Sequence, residues 1–282
     1  MTQVLRALDA SEFDAAGRLL ADAYPHRARE VRTWKQPAPH ERPLRWAALL
    51  ESETTTLAGY AALWHVEQRK HRLDVIVDPA RRRRGVGARL LDLVLDAAVR
   101  AGAVTVQARA YADCPEALAF LTHRGFIETM RMHGGSLDLS SVDERLLSEQ
   151  TRRGDRSGAA IAAVSEADVS DARFWCAMCD LQSEAKEGWP DPDPGGELAG
   201  YSALAALSGP GSDAQFAATA VRPDMRGRGI ATALRAHGLL SAKAAGIRTV
   251  RSSSGNPSLL RINERFGFVP RYCEVRMVRR LR

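Results

Sequence analysis

The sequence predicts an α/β fold (α+β layered) in two tandem copies, each a mixed central sheet flanked by helices. Three observations predict it. A strand-like run, an arginine- and glycine-rich loop and an amphipathic helix occur once in each half. Each set is followed, at a similar distance, by a Gly-Phe pair. Between these landmarks the apolar residues alternate between the period of a strand and that of a helix.

The segment Val77-Asp78-Pro79-Ala80-Arg81-Arg82-Arg83-Arg84-Gly85-Val86-Gly87 returns as Val221-Arg222-Pro223-Asp224-Met225-Arg226-Gly227-Arg228-Gly229-Ile230-Ala231, offset by 144 residues. Ala101-Gly102 returns as Ala245-Gly246 at the same offset, and Arg124-Gly125-Phe126 as Phe266-Gly267-Phe268 at 142. A period of that size marks a duplicated domain and not a solenoid. The copies are expected at residues 1–140 and 158–282, with a polar connecting segment at 141–157 that contains Gly154. Leu5–Asp9 resembles Ile161–Ser165 at offset 156, so the second copy is about a dozen residues shorter before its loop.

In the first copy Val4–Leu8 reads as a strand, and Ser11 can cap a helix running through Ala23. Leu44–Leu50 and Thr55–Val66 read as a hairpin, since Thr55, Thr56, Tyr60 and Trp64 suit a pleated surface. Leu73–Val77 is a strand stopped by Asp78-Pro79. The loop follows, then a helix from about Val86 to Arg100 with Leu90, Leu91, Val94, Leu95 and Ala98 on one face. Gly102 ends it. Val104–Ala108 is a strand, Glu116–His123 a helix and Phe126–His133 a strand. A short helix is expected to start the connecting segment, at Asp143–Leu147. In the second copy strands are expected at Ala159–Val164, Leu198–Leu207, Gln215–Val221, Thr249–Ser253 and Tyr272–Val278. Helices are expected near Asp171–Ser183, over Ile230–Ala245 and over Pro257–Arg265. The proline-rich run Trp189–Gly196 excludes regular structure.

Composition narrows the class of function. The 282 residues carry a net charge of +6, with four lysines (Lys35, Lys70, Lys186, Lys243) against 36 arginines. The arginines are scattered and no lysine-rich tail is present, which points to a GC-rich genome more than to a nucleic-acid partner. No apolar run reaches the ~18 residues of a membrane span, and the first residues lack a signal-peptide layout, so a cytoplasmic protein is expected. Of the four cysteines, Cys176 and Cys179 form a C-x-x-C, but no second pair or histidine pair stands at zinc spacing. Phe174, Trp175, Met178 and Leu181 around them read as an apolar helix face, so buried structural cysteines and no metal are expected.

Each loop lies between a strand and the first turn of a helix, where unpaired N–H groups and the helix dipole favour an anion. Gly85, Gly87, Gly227 and Gly229 let the backbone approach it closely. Arg82, Arg83, Arg84, Arg226 and Arg228 add attraction. Neither G-x-G-x-x-G nor the G-K-S/T of a P-loop is present. A tight turn with solvated arginines would explain one such loop; two in the same context make a pyrophosphate cradle the better reading.

These residues resemble the GCN5-related N-acetyltransferase (GNAT) superfamily. Its acetyl-CoA signature, Gln/Arg-x-x-Gly-x-Gly/Ala at a strand-to-helix turn, reads Arg82-Arg83-Arg84-Gly85-Val86-Gly87 and Arg226-Gly227-Arg228-Gly229-Ile230-Ala231. Its later segment, asparagine, helix, then Gly-Phe, reads Asn256 to Phe268. The resemblance covers nearly the whole chain and is similar in layout to mycothiol-synthase-like and other two-domain members. It implies acetyl-CoA as cosubstrate and a primary amine of a small molecule or peptide as acceptor, in a monomer or homodimer. It also implies a cleft where the strand ending at Val77, or Val221, splays from its neighbour, with backbone N–H groups there meeting the thioester carbonyl. Asn256 and Asn263 join the cofactor-binding candidates. The tyrosine the superfamily places four residues before the glycine of Gly-Phe is replaced by Leu121 and Asn263, and the asparagine before that helix is Cys114 in the first copy. Asp74, on the strand leading into the loop, and Tyr111, at the end of the next strand, are the candidate catalytic residues, with His65 and His71 as further candidate bases. Ser252–Ser254 could line the second cleft. An acyl-CoA-binding module whose catalytic sites have decayed is the alternative reading.

Overall fold

The structure is a computed structural model that describes residues 3–25, 27, 43–50, 53–67, 69–155, 161, 198–207 and 213–281. The expected strand Ala159–Val164, the helix at Asp171–Ser183, the C-x-x-C and the proline-rich run lie outside the described residues, apart from Ile161. In chain order the elements are β1 (Gln3–Ala7), α1 (Phe13–Ala23), β2 (Leu44–Leu50), β3 (Glu53–Glu67), β4 (Lys70–Val77), α2 (Val86–Arg100), β5 (Thr105–Tyr111), α3 (Pro115–His123), β6 (Ile127–Asp138), α4 (Glu144–Asp155), β7 (Gly200–Ala206), β8 (Asp213–Val221), α5 (Ile230–Ala244), β9 (Thr249–Ser254), α6 (Pro257–Arg265) and β10 (Val269–Arg280). Short 3-10 turns precede α1, α2, α4 and α5.

Two compact units result: residues 1–132 with 272–282, and residues 133–271. In the first, β1, β2, β3 and β4 form an antiparallel run. β4 then pairs with β5 in parallel, and β5 pairs antiparallel with β10 over Thr105–Tyr111. α2 lays Leu90, Leu91, Val94 and Ala98 on one face of that sheet, in a core that also takes Val275 and Met277 of β10. α1 lays Ala16, Leu19 and Leu20 on Tyr60, Ala62 and Ile76. In the second unit β7 and β8 are antiparallel, β8 and β9 parallel, and β9 pairs with His133–Asp138 of β6. Its core joins Phe216, Leu239 and Val250 to Leu137 of β6 and Leu147 of α4.

Each copy's last strand thus pairs with a strand of the other copy, β10 with β5 and β6 with β9. The repeat in the sequence sets which residues become strands; their partners lie more than 100 residues away and leave no local mark. Other differences are smaller. The first helical turn is capped by Asp9, which accepts from the Ser11 N–H (2.8 Å) while Glu12 closes a capping box, so Ser11 lies inside the turn. α4 is a full 12-residue helix. Gly154, read as part of a linker, sits within it at a close approach to Ala233 of α5 that a Cβ would block.

Candidate functional site

The loop of the first unit starts where β4 ends. Asp78 caps the 3-10 turn by accepting from the Ala80 N–H (2.9 Å) and pairs with Arg81. Arg83 then takes a left-handed φ of 62° and Gly85 one of 82°. Gly85 is the N-cap of α2, and no side chain caps that end. The first N–H groups of α2 are therefore left for an outside acceptor. The second unit repeats the geometry, with Gly227 at φ 77° and Gly229 at 86°, and α5 is equally uncapped by a side chain. A Cβ on Gly87 would stand 3.3 Å from the Val77 side chain, so glycine keeps α2 close to the strand end. Val86 and Ile230 are buried and tie their helices to the cores, so either could serve a ligand only through its backbone. The arginines divide. Arg82 and Arg226 both donate through Nε to the carbonyl that ends their strand, Val77 (3.5 Å) and Val221 (3.0 Å), and Arg82 also bonds Glu116 (3.0 Å). Arg228 bonds the Asp224 carbonyl (3.2 Å). Arg83 and Arg84 are exposed beside the first helix end.

Both units carry a fork in the sheet beside the loop. Paired residues on β4 and β5 run from Lys70–Thr105 to Leu73–Ala108, while the strands continue to Val77 and Tyr111. On β8 and β9 pairing runs from Asp213–Thr249 to Gln215–Arg251, while the strands continue to Val221 and Ser254. In the first unit a cleft of about 360 Å³ follows the fork. Arg82, Arg83, Gly85 and Gly87 line it at the loop, Val75–Val77 along the strand, Cys114 just before α3 and Glu116, Ala117 and Phe120 on it, and Ala23 and Tyr24 from the end of α1.

Of the two residues chosen as catalytic, neither lines this cleft. Asp74 is buried, bonded to Arg27 (2.5 Å) and Arg109 (3.1 Å). Burial pushes its pKa up, but the two guanidiniums outweigh it and hold the carboxyl at about 2. It is a fixed anion and a weak base. Tyr111 is buried between Tyr24 (ring centroids 4.8 Å) and Tyr272 (6.0 Å). The tyrosine on the cleft is Tyr24, whose pKa is raised by burial and then by Cys114. Sequence reading had no signal for it, because it closes a helix in a segment far from the motif. His71 is buried against His65 (5.1 Å), and its pKa is lowered first by burial. Burial likewise raises the Cys114 thiol, so Cys114 is a neutral wall of the cleft.

In the second unit Asn256 caps α6, its side chain accepting from the Ser258 N–H (2.8 Å). Asn263 is buried and donates to Ser252 Oγ (3.1 Å). Ser252 also accepts from Arg235 Nη2 (2.7 Å). Among the described residues no three His, Cys, Asp or Glu side chains group to hold a metal, and no helix is long and apolar enough to cross a membrane.

A forked sheet with an uncapped, glycine-led helix at its open end thus occurs in both units. The chain belongs to the acetyltransferase (GNAT) family, whose model matches residues 6–126 and again 160–268. It is similar to the mycothiol acetyltransferases of Clavibacter michiganensis subsp. michiganensis (32% identical, covering 63% of this chain and 61% of that one) and Clavibacter sepedonicus (31%, covering 59% and 58%). These matches therefore span about three fifths of the relatives' length. Its fold is similar to that of a tandem GNAT protein from the clavulanic acid biosynthesis pathway (TM-score 0.69, 18% identical, covering 99% of this chain and 98% of that one). It is also similar to a GCN5-related N-acetyltransferase from Sphaerobacter thermophilus (TM-score 0.66, 20% identical, covering 99% and 96%).

Proposed function

We propose that the chain transfers an acetyl group from acetyl-CoA to the primary amine of a small molecule or peptide, and that the first unit does the chemistry. The observation that carries this reading is the cleft of the first unit, continuous from the Gly85–Gly87 cradle past Val75–Val77 to Tyr24. Acetyl-CoA supplies a thioester whose leaving group is a thiolate. The residues present fit it. The uncapped first turn of α2 accepts a pyrophosphate, and Gly87 gives the approach space. The unpaired ends of β4 and β5 offer backbone groups to the pantetheine arm and to the carbonyl oxygen of the thioester. Tyr24, kept protonated by burial, is the proton source on the cleft wall. Arg27 and Arg109 hold Asp74, and Tyr111, itself packed on Tyr272, backs Tyr24.

The test is calorimetry with acetyl-CoA, followed by thiol release with a panel of amines that includes the acceptor of the mycothiol acetyltransferases. Binding with turnover of one amine supports the enzyme. Binding without turnover favours the second reading, an acyl-CoA-binding module. That reading draws on Leu121 and Asn263, which stand where the family's tyrosine is expected.

A further inference from the structure

The second unit holds a charge that the first does not. Arg235 of α5 is only 2% exposed, yet no carboxylate among the described residues pairs with it. Its guanidinium lies 3.9 Å from the centre of the Phe216 ring and gives one hydrogen bond, to Ser252. Nε of Arg235 is buried with no acceptor, and Oδ1 of Asn263 is buried with no donor. Ser252 Oγ accepts from both Arg235 and Asn263, so its own proton is left over. Burial lowers the pKa of Arg235 only to about 10, and it stays charged at neutral pH.

The fold does not require these groups. By the repeat, Arg235, Ser252 and Asn263 correspond to Leu91, Ala108 and Leu121, which pack together in the core of the first unit. A buried guanidinium without a counter-charge is costly in general, and leucine at this place carries no such cost. Position supplies the reason. Phe216 and Ser252 are the first residues beyond the last paired residues of β8 and β9, so the cluster sits at the apex of the fork. A ligand entering from the Gly229 end reaches this apex with its acyl portion. The donors without acceptors there ask for an anion, and the lone Oδ1 asks for an N–H such as an amide of a pantetheine arm.

We propose that the second unit's fork is a carboxylate-recognition site, in which Arg235, held by Ser252 and Asn263, takes an acyl-CoA whose acyl chain ends in a carboxylate. The inference rests on reading the second loop as a CoA cradle. It divides the two units by ligand: a neutral acyl group in the first, an acidic one in the second.

The experiment uses the full chain carrying Gly87→Val, which closes the first cleft, and measures binding of acetyl-, propionyl-, malonyl- and succinyl-CoA by calorimetry. The expected result is at least tenfold tighter binding of malonyl- or succinyl-CoA than of propionyl-CoA. In Arg235→Leu, which installs the first unit's own residue, that preference should vanish while acetyl-CoA affinity is kept. Ser252→Ala, also taken from the first unit, should weaken the preference without removing the charge, and guards against misfolding of the arginine variant. Equal affinity for all four ligands, or a preference that survives in Arg235→Leu, overturns the proposal while leaving the cradle intact. No binding of any of the four overturns both the proposal and the cradle beneath it.

Discussion

Asp74→Asn removes the buried carboxylate that bonds both Arg27 and Arg109. The substitution is therefore expected to destabilise the first unit by ~3 kcal/mol in urea denaturation, the cost of breaking a buried ion pair. The pH dependence follows from the direction of the shift. A carboxyl whose folded pKa lies near 2, below its ordinary 3.8, stabilises the fold above its unfolded value. That stability is lost as pH falls from about 4 through 2. Midpoints measured across this window should fall in the wild type, and less steeply in Asp74→Asn. Tyr24→Phe should lower kcat by ~100-fold while acetyl-CoA affinity holds, as for loss of a positioned acid; an unchanged kcat would remove Tyr24 from the mechanism. Asp74 could be picked out in the sequence as a carboxylate on the strand entering the loop. Its partner Arg27 lies 47 positions earlier and Arg109 lies 35 later. Local pattern cannot report either, and the candidate catalytic carboxylate is held as a fixed anion.

At the scale of single elements the loops were the most legible part, because their chemistry is local. Glycines at left-handed positions, an uncapped helix start and a strand end that an arginine braces all lie within a dozen residues. Alanine at Gly85 or Gly229 should cost ~1 kcal/mol each in stability, the steric cost of a left-handed L-residue. A Cβ on Gly229 meets no atom within 4 Å, so strain and not crowding sets that cost. Gly87→Val acts differently: it should lower acetyl-CoA affinity of the first unit at least tenfold in calorimetry, because the added bulk falls between Val77 and the helix. Boundaries were less legible. The fork could be expected only from the family resemblance, since parallel pairing that stops at Leu73–Ala108 leaves both strands equally apolar in sequence.

For the whole molecule, the duplication was plain in the sequence and the strand exchange was not. β6 and β10 each look like the last strand of their own copy, and alternation alone gives no partner. Yet Val275 and Met277 fill the first unit's core, and Leu137 fills the second's. Truncation after Phe268 should therefore abolish acetyl-CoA binding by the first unit, although every residue of its loop and cleft remains. If the truncated chain still bound there with native affinity, the pairing of β5 with β10 would not matter to the site. During synthesis the same pairing sets an order of events. When the first copy has left the ribosome, the edge of β5 is still bare, and it stays so while about 130 further residues are made. An open strand edge of this kind invites pairing with another nascent chain. The two halves therefore mature together, and a gene cut at the linker would yield two fragments that each wait for the other.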